Sequence, residues 1–395
     1  WLVVGLLLGA WANWFWVAGP LRRASGAAAD ALTLPELLCR IIGEGNDRQT
    51  LLLLRLTATA LILFFFTFYV AAGLVAGARL FESTLELDYL TALSIGTAII
   101  VAYTMAGGFL AVSWTDFFQG SLMLLALVAV PMLLIGGSEE TGDIASGHLA
   151  PFAGMTPVAL LSLLAWGLGY VGQPHLLARF MAIRSEEELP RARHIGMSWM
   201  LITTVAAVAV GLGGSAVFGS GLADPETVFI ELTQLLFHPL IAGIVLAAIL
   251  AAVMSTIDSQ LLVASTCLAE DLYKPWLRPD ASSEELVRVG RFAVAAVAVT
   301  ALLLALDPDN RVLTLVSHAW AGLGASFGPV LLLALHWPRL TAAGALAGMF
   351  TGGMTVVGWS SLSGGLFDLY ELLPAFLLAG AVAITVSLNR DAAAA

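Results

Sequence analysis

Residues 166–174 read Trp-Gly-Leu-Gly-Tyr-Val-Gly-Gln-Pro and lie in the middle of an apolar run over 157–181. Three glycines, a glutamine and a proline within nine residues weaken or interrupt a membrane helix. Irregular backbone at membrane depth is tolerated only where protein or a water-filled cavity satisfies the freed polar groups. The stretch therefore predicts a binding site of the kind that transporters build from broken helices. The simpler alternative is a kink that permits close helix packing.

Two aromatic residues of this stretch, Trp166 and Tyr170, are four positions apart. At α-helical spacing they share one face of a helix. Their rings offer an apolar wall that can also hold a cationic amine. If the stretch is a binding site, these two side chains are the first candidates for contact with its ligand.

The composition of the whole chain places this stretch in a membrane. Of 395 residues, 59% are hydrophobic and 11% are charged, the net charge is −11, and the mean hydropathy is +0.92. Soluble domains are about 25% charged, and a soluble globule cannot hide so much apolar surface. These values predict an all-α polytopic membrane protein. They exclude a soluble enzyme, a nucleic-acid-binding domain, a disulfide scaffold and a disordered chain.

Apolar runs separated by polar breaks predict eleven transmembrane helices. They cover 1–19, 50–80, 89–111, 115–136, 157–181, 195–219, 238–268, 287–306, 311–337, 340–362 and 371–389. The outer stretch 220–237 is expected to carry a short surface helix. Cys39 and Cys267 lie far apart and are expected to be unpaired.

The charges in the polar breaks alternate in sign along the chain. Basic residues occupy every second break: Arg22, Arg23, Arg40, Arg48, Arg179, Arg184, Arg191, Arg193, Lys274, Arg278, Arg288, Arg291, Arg339 and Arg390. The intervening breaks are acidic: Glu82, Glu86, Asp88, Glu139, Glu140, Asp143, Asp224, Glu226, Glu231, Asp307, Asp309, Asp368 and Glu371. The basic exceptions on that side are Arg79 and Arg311. Because basic loops stay in the cytoplasm, we expect Trp1 outside and the C-terminus in the cytoplasm.

A second polar stretch lies in the seventh predicted span. Residues 251–260 read Ala-Ala-Val-Met-Ser-Thr-Ile-Asp-Ser-Gln. A hard monovalent cation prefers oxygen ligands, which Ser255, Thr256 and the nearby Ala252 carbonyl can supply without a fixed charge. Hydrogen bonding between helices is the alternative for the hydroxyls. Asp258 is as readily structural as functional at this depth.

A third stretch, 103–119, predicts a short helical hairpin. Gly107-Gly108 is expected to end one helix, and 113–116 to cap the next. Tyr103 lies in the membrane with a polar tip that needs a partner. The glycines of 322–328 predict close helix contact. His318 and His336 show no metal-binding spacing, and the chain has no phosphate loop that would favour ATP as the energy source.

Three of these segments, 107–116, 166–180 and 248–262, resemble the sodium:solute symporter family, with further matches at 77–83, 266–274 and 319–322. The resemblance implies a LeuT-type inverted-repeat fold, with sodium and solute bound between two broken helices. It covers 1–395 as a single transmembrane domain. It also implies that the eleven spans are the third to the thirteenth of thirteen. The first core helix is then absent, and we expect this chain alone not to transport.

The resemblance assigns roles residue by residue. Sodium is expected at the Ala252 carbonyl and the hydroxyls of Ser255 and Thr256. The residues expected to bind solute, or to couple it to sodium, are Trp166, Tyr170, Pro174 and Tyr103. Asp258 and Gln173 are expected to support the site without contacting either ligand.

The implied function is transport, not catalysis: sodium-coupled uptake of L-proline across the bacterial plasma membrane by alternating access. Sodium, proline or a related small solute, and the lipid bilayer are the expected partners, with no nucleic acid and with the oligomeric state open. One alternative is a sodium symporter for pantothenate, a sugar, a carboxylate or another amino acid. The other is the transporter-like sensor domain of a signalling protein, which would need a kinase after 389–395.

Overall fold

The computed structural model describes residues 1–27, 31–43, 46–106, 109–136, 150, 152–219, 221–222 and 224–394. All regular structure in these residues is helical. The α-helices are α1 Leu2–Asn13, α2 Gly19–Ala27, α3 Leu34–Ile42, α4 Arg48–Leu85, α5 Tyr89–Ala106, α6 Phe109–Gly136, α7 Pro157–Ala165, α8 Pro174–Met181, α9 Leu189–Phe218, α10 Val228–Leu236, α11 Pro239–Cys267, α12 Lys274–Trp276, α13 Ser283–Leu304, α14 Val312–His336, α15 Ala342–Trp359 and α16 Leu372–Ala394.

Nine helices in the described part of the chain are long and apolar enough to cross a membrane. They are Leu2–Ala27, Arg48–Leu85, Val112–Ile135, Glu186–Phe218, Pro239–Trp276, Ser283–Leu304, Val312–His336, Ala342–Trp359 and Leu372–Asn389. Two shorter apolar helices, Tyr89–Met105 and Pro157–Gly172, coincide with the two remaining predicted spans. The protein is therefore a helical multi-pass membrane protein, and the count of eleven spans stays a prediction.

Two local predictions were wrong. The first span does not end near residue 19, because α1 continues through a π-helical turn at Trp14–Ala18 into α2. Residues 113–116 do not cap a helix, since α6 already begins at Phe109. Inside α6 the Thr115 hydroxyl donates to the Val112 carbonyl oxygen at 2.9 Å, as hydroxyls do within helices.

Several sequence predictions lie outside the described residues or are met in part. The expected helix end at Gly107-Gly108 and the acidic break at 137–149 fall on residues that the structure does not describe. The helix expected within 220–237 is present as α10.

The centre of the bundle is α14. Every residue from Ala319 to Leu331 is buried, against α4, α15, α16 and the interrupted fifth span. A Cβ atom at Gly322 would come within 2.0 Å of the Phe65 ring of α4. This confirms the predicted close contact, because the absence of a side chain at Gly322 leaves the space that the Phe65 ring of the neighbouring helix occupies.

A buried ion pair closes one end of the bundle. The Arg55 guanidinium of α4 donates to an Asp271 carboxylate oxygen at 2.6 Å and to the Glu270 carbonyl at 3.1 Å. The Thr33 hydroxyl, at the N-cap of α3, donates to the same Asp271 oxygen at 3.0 Å. The short helix α3 is thereby tied to the end of α11, which carries the polar stretch.

Candidate functional site

The fifth predicted span is interrupted, as its glycines and proline predicted. Helix α7 ends at Ala165, a 3₁₀ helix runs over Trp166–Gly172, and Gln173 is extended. Helix α8 then begins at Pro174, where a missing N–H costs nothing because the first helical N–H has no intrahelical partner. The interruption therefore lies in the bundle interior, where Gly167, Gly169, Gly172 and Gln173 are buried.

The carbonyl groups of the interrupted segment find partners on other elements. The Trp320 indole N–H donates to the Trp166 carbonyl oxygen at 2.8 Å, and the Asn13 amide donates to that of Tyr170 at 3.2 Å. The Gln173 amide donates to the carbonyl oxygens of Gly169 at 3.1 Å and of Trp320 at 3.2 Å. The buried protein satisfies these groups, as irregular backbone inside a membrane requires.

The aromatic side chains of this segment contact different partners. Trp166 stacks on Tyr370, with ring centroids 5.1 Å apart, and Tyr170 packs edge to face on Trp320 at 4.9 Å. In a 3₁₀ helix, residues four apart are rotated by about 120°. The prediction that Trp166 and Tyr170 share an α-helical face was therefore wrong.

The aromatic cluster extends to residues that the sequence did not single out. The rings of Tyr69 and the buried His175 are 6.0 Å apart. A tyrosine or tryptophan at membrane depth needs a hydrogen-bond partner for its polar group. This requirement is the signal in the sequence by which Tyr69 and Tyr370 could have been identified.

The polar stretch of α11 brings the three predicted sodium ligands into one turn. The hydroxyls of Ser255 and Thr256 both donate to the Ala252 carbonyl oxygen, at 2.9 and 3.0 Å. All three residues are half-buried. A hydroxyl oxygen keeps lone pairs free while its hydrogen is donated, and it can rotate. This donor set is neutral, compact and made of oxygen, as a monovalent cation prefers.

Asp258 turns toward α5. One of its carboxylate oxygens accepts a hydrogen bond from the Thr104 hydroxyl at 2.6 Å, and the side chain is fully buried. The other oxygen has no hydrogen-bond partner among the described residues. Tyr103, next to Thr104 on α5, is half-buried, and its hydroxyl likewise has no partner in the described part. The structure thus joins Asp258 of α11 to α5 at Thr104, the neighbour of Tyr103, while the ring contacts of Trp166 and Tyr170 go to Tyr370 and Trp320.

Arg179 joins the two halves of the site, which the sequence did not predict. Its guanidinium pairs with Asp116 of α6 and donates to the Ser259 hydroxyl at 2.8 Å. Ser259 in turn donates to the Ser255 carbonyl oxygen at 2.9 Å. Helix α8, which follows the broken segment, is therefore linked to α11 one turn from Ser255.

Cavities approach the broken segment at both of its ends. One, of about 490 Å³, is lined by Pro174 and Ala178 of α8, Thr266 and Cys267 of α11, and Thr33. Another, of about 540 Å³, is lined by residues that include His318, Trp359, Tyr370 and Glu371. Tyr370, in the lining of this second cavity, stacks on Trp166 at the start of the broken segment.

A multi-pass helical bundle with an interrupted helix in its interior is typical of membrane transporters. The model of the sodium:solute symporter family matches residues 1–352, and the chain belongs to this family.

Relatives and a solved structure agree with this assignment. The chain is 52% identical to the high-affinity proline transporter PutP of Bacillus subtilis (strain 168), over 95% of this chain and 80% of that one. It is 49% identical to the sodium/proline symporter of Escherichia coli (strain K12), over 98% of this chain and 78% of that one. A Na⁺-coupled sialic acid symporter, solved substrate-bound and outward-open, matches with a TM-score of 0.77 at 17% identity, over 98% of this chain and 83% of that one. That likeness concerns the fold.

Proposed function

We propose that this protein carries out secondary active transport, the sodium-coupled uptake of L-proline across the bacterial plasma membrane by alternating access. The observation that carries the proposal is 52% identity over 95% of the chain to a proline transporter. Sodium is a co-substrate that enters and leaves with the solute, and is not a resident cofactor.

The finer architecture belongs to the same proposal. Residues 1–395 belong to one transmembrane domain, to which they contribute eleven spans of a LeuT-type inverted repeat. Trp1 faces outward and Ala395 faces the cytoplasm. The alternation of basic and acidic breaks supports this orientation. The similarity in fold to the sialic acid symporter supports the repeat.

The sodium ion binds at Ala252, Ser255 and Thr256. Their three oxygens already converge, with hydroxyl-to-carbonyl distances of 2.9 and 3.0 Å. Asp258 supports this turn from the α5 side through its bond to Thr104.

Proline binds along the broken segment. Trp166 and Tyr170 are the proposed aromatic contacts of its pyrrolidine ring, each on its own side of the 3₁₀ segment, and an aromatic ring also favours its cationic amine. Pro174 bounds the pocket where α8 begins, at the edge of a cavity. Gln173 supports the segment by donating to the Gly169 and Trp320 carbonyls. Tyr103, on α5, takes part in the coupling of solute to sodium.

Coupling follows from the link between α8 and α11. Sodium orders the turn around Ser255, and Ser259 and Arg179 connect that turn to α8 and the solute segment. Each ligand then lowers the Kd of the other by the same factor. A potential of about 100 mV supplies about 2.3 kcal/mol per charge, and a tenfold sodium gradient adds about 1.4 kcal/mol. Together they support roughly 500-fold accumulation of solute.

The test is uptake of labelled proline into proteoliposomes that contain the protein expressed from its full reading frame. We expect uptake with an inward sodium gradient and none when choline replaces sodium. Unlabelled proline should compete, while pantothenate, sugars, carboxylates and other amino acids should not. Sodium-independent uptake, or stronger competition by another solute, would reject sodium coupling or proline respectively.

A further inference from the structure

Two helices approach the backbone of the broken segment Trp166–Gly172 closely from different sides. A Cβ atom at Gly9 of α1 would come within 2.1 Å of the Gly167 carbonyl oxygen. A Cβ atom at Gly169 would come within 1.9 Å of the indole nitrogen of Trp320 of α14. At these points the segment is held with no space for any side chain between the backbones or against the indole ring.

Hydrogen bonds from the same two helices fix the segment at both of its aromatic residues. Trp320 donates to the Trp166 carbonyl oxygen at 2.8 Å, and Asn13 donates to the Tyr170 carbonyl oxygen at 3.2 Å. The donors are 6% and 2% exposed, so water does not offer the carbonyls a ready substitute. A short 3₁₀ segment has poor internal hydrogen-bond geometry, and its shape depends on such external donors.

We propose that Trp320 and Asn13 are positioning residues for the transported solute. They set the placement of Trp166 and Tyr170 and thereby the affinity for solute. Trp320 acts on both aromatic residues at once, because its N–H bonds the Trp166 carbonyl and its ring packs on Tyr170 at 4.9 Å. Side chains that contact a ligand are held in position by the residues that pack against them and bond their backbone. This inference rests on the proposed function, since it assigns the solute wall to Trp166 and Tyr170.

Trp320→Phe is the direct test. Phenylalanine keeps an aromatic ring near Tyr170 and removes the N–H, which leaves the Trp166 carbonyl buried without this donor. We expect the KM for proline to rise about five- to tenfold. The maximal rate per protein present, and the sodium concentration for half-maximal uptake at saturating proline, should stay within about twofold. A merely structural role would lower the amount of protein or the maximal rate and leave the KM unchanged.

The matched control is Trp199→Phe. The Trp199 indole also donates to a backbone carbonyl, that of Gly120 at 3.4 Å, but between α9 and α6. The same chemical change is expected there to leave the proline KM within about twofold. Asn13→Leu gives an independent second variant, which keeps the number and branching of the side-chain heavy atoms and removes the donor to Tyr170. Asn13→Leu should raise the proline KM in the same way. It keeps the proposal testable if the Trp320→Phe protein does not reach the membrane.

The outcomes separate this inference from the proposed function. If the wild-type protein shows no sodium-dependent proline uptake, the proposed function fails, and the KM comparison is made with the solute that it does transport. If the wild type transports and the variants keep a KM within twofold of wild type, the positioning role is overturned. A KM that rises equally in Trp199→Phe overturns it as well.

Discussion

The Thr104 hydroxyl and the Asp258 carboxylate hold each other in the interior, with the two oxygens 2.6 Å apart. The single hydroxyl hydrogen of Thr104 is shared with the Ile100 carbonyl oxygen of its own helix, which lies 2.7 Å from the Thr104 oxygen. The second carboxylate oxygen of Asp258 accepts no hydrogen bond from the described residues. Among the described residues, the side-chain hydrogen bond between Thr104 and Asp258 joins α5 to the part of α11 that carries Ser255 and Thr256.

Removal of the Thr104 hydroxyl should destabilise the protein through Asp258. We expect Thr104→Val to lower the free energy of unfolding by about 1–2 kcal/mol, since a buried carboxylate loses its partner. Thr97→Val is the matched control, because Thr97 lies on the same helix and bonds only the Leu93 carbonyl, at 2.7 Å. Unfolding in SDS measures both. In the Asp258→Leu background Thr104→Val should cost no more than the control, and an undiminished cost there would contradict the account.

The ion pair between Arg55 and Asp271 should be costly to break from one side. Asp271 is fully buried, so Arg55→Met leaves its charge without a counterion, and we expect a loss of about 3–5 kcal/mol. Adding Asp271→Leu to the Arg55→Met protein should restore most of the lost stability. The control is Lys274→Met, which breaks the more exposed pair with Glu270 and should cost less than about 1 kcal/mol. Equal losses in the two single variants would count against a buried pair.

The proposed sodium site predicts a shift in cation requirement. Ser255→Ala and Thr256→Ala should each raise the sodium concentration for half-maximal proline uptake by about fivefold or more, because each removes one oxygen ligand. Thr300→Ala serves as the control, since the Thr300 hydroxyl also donates to a carbonyl of its own helix, at 2.9 Å, but is exposed on α13. Unchanged sodium dependence in both site variants would reject the cation site.

The thiol of Cys39 on α3 should react slowly. Burial raises the pKa of Cys39 to about 12, and its sulfur donates to the Leu51 carbonyl oxygen at 3.4 Å. Because the pKa is raised, the reactive thiolate is scarce at pH 9, about one part in a thousand. In a Cys267→Ser background, iodoacetamide should label Cys39 slowly at pH 9, faster as the pH rises further, and fully in SDS. Equal rates in folded and unfolded protein would show that α3 is not packed as described.

The sequence predicted the spans well for a physical reason. A membrane requires long apolar runs, and the nine long apolar helices of the described residues coincide with nine predicted spans. The interruption at Trp166–Gly172 was also predictable, because glycine and proline act locally on the backbone. The gathering of Ala252, Ser255 and Thr256 followed from their spacing within one turn.

The remaining features depend on contacts between distant parts of the chain. Trp320 and Trp166 are 154 positions apart, and Arg179 and Asp116 are 63 apart, so no local pattern predicts either pair. The helix type of the broken segment was also not predicted. The 3₁₀ geometry of the broken segment separates the faces of Trp166 and Tyr170, which α-helical spacing had joined.

In the proposed mechanism, the oxygen cluster of α11 binds sodium, the broken segment binds proline, and each ligand strengthens the binding of the other. The most direct measurement is the binding of labelled proline to the purified protein across a range of sodium concentrations, together with sodium binding with and without proline. Thermodynamic linkage requires that sodium lower the Kd for proline by the same factor by which proline lowers the Kd for sodium. We predict equal factors of about fivefold or more, typical of coupled sites, which shrink in Ser255→Ala. A proline Kd that does not change with sodium would contradict the account.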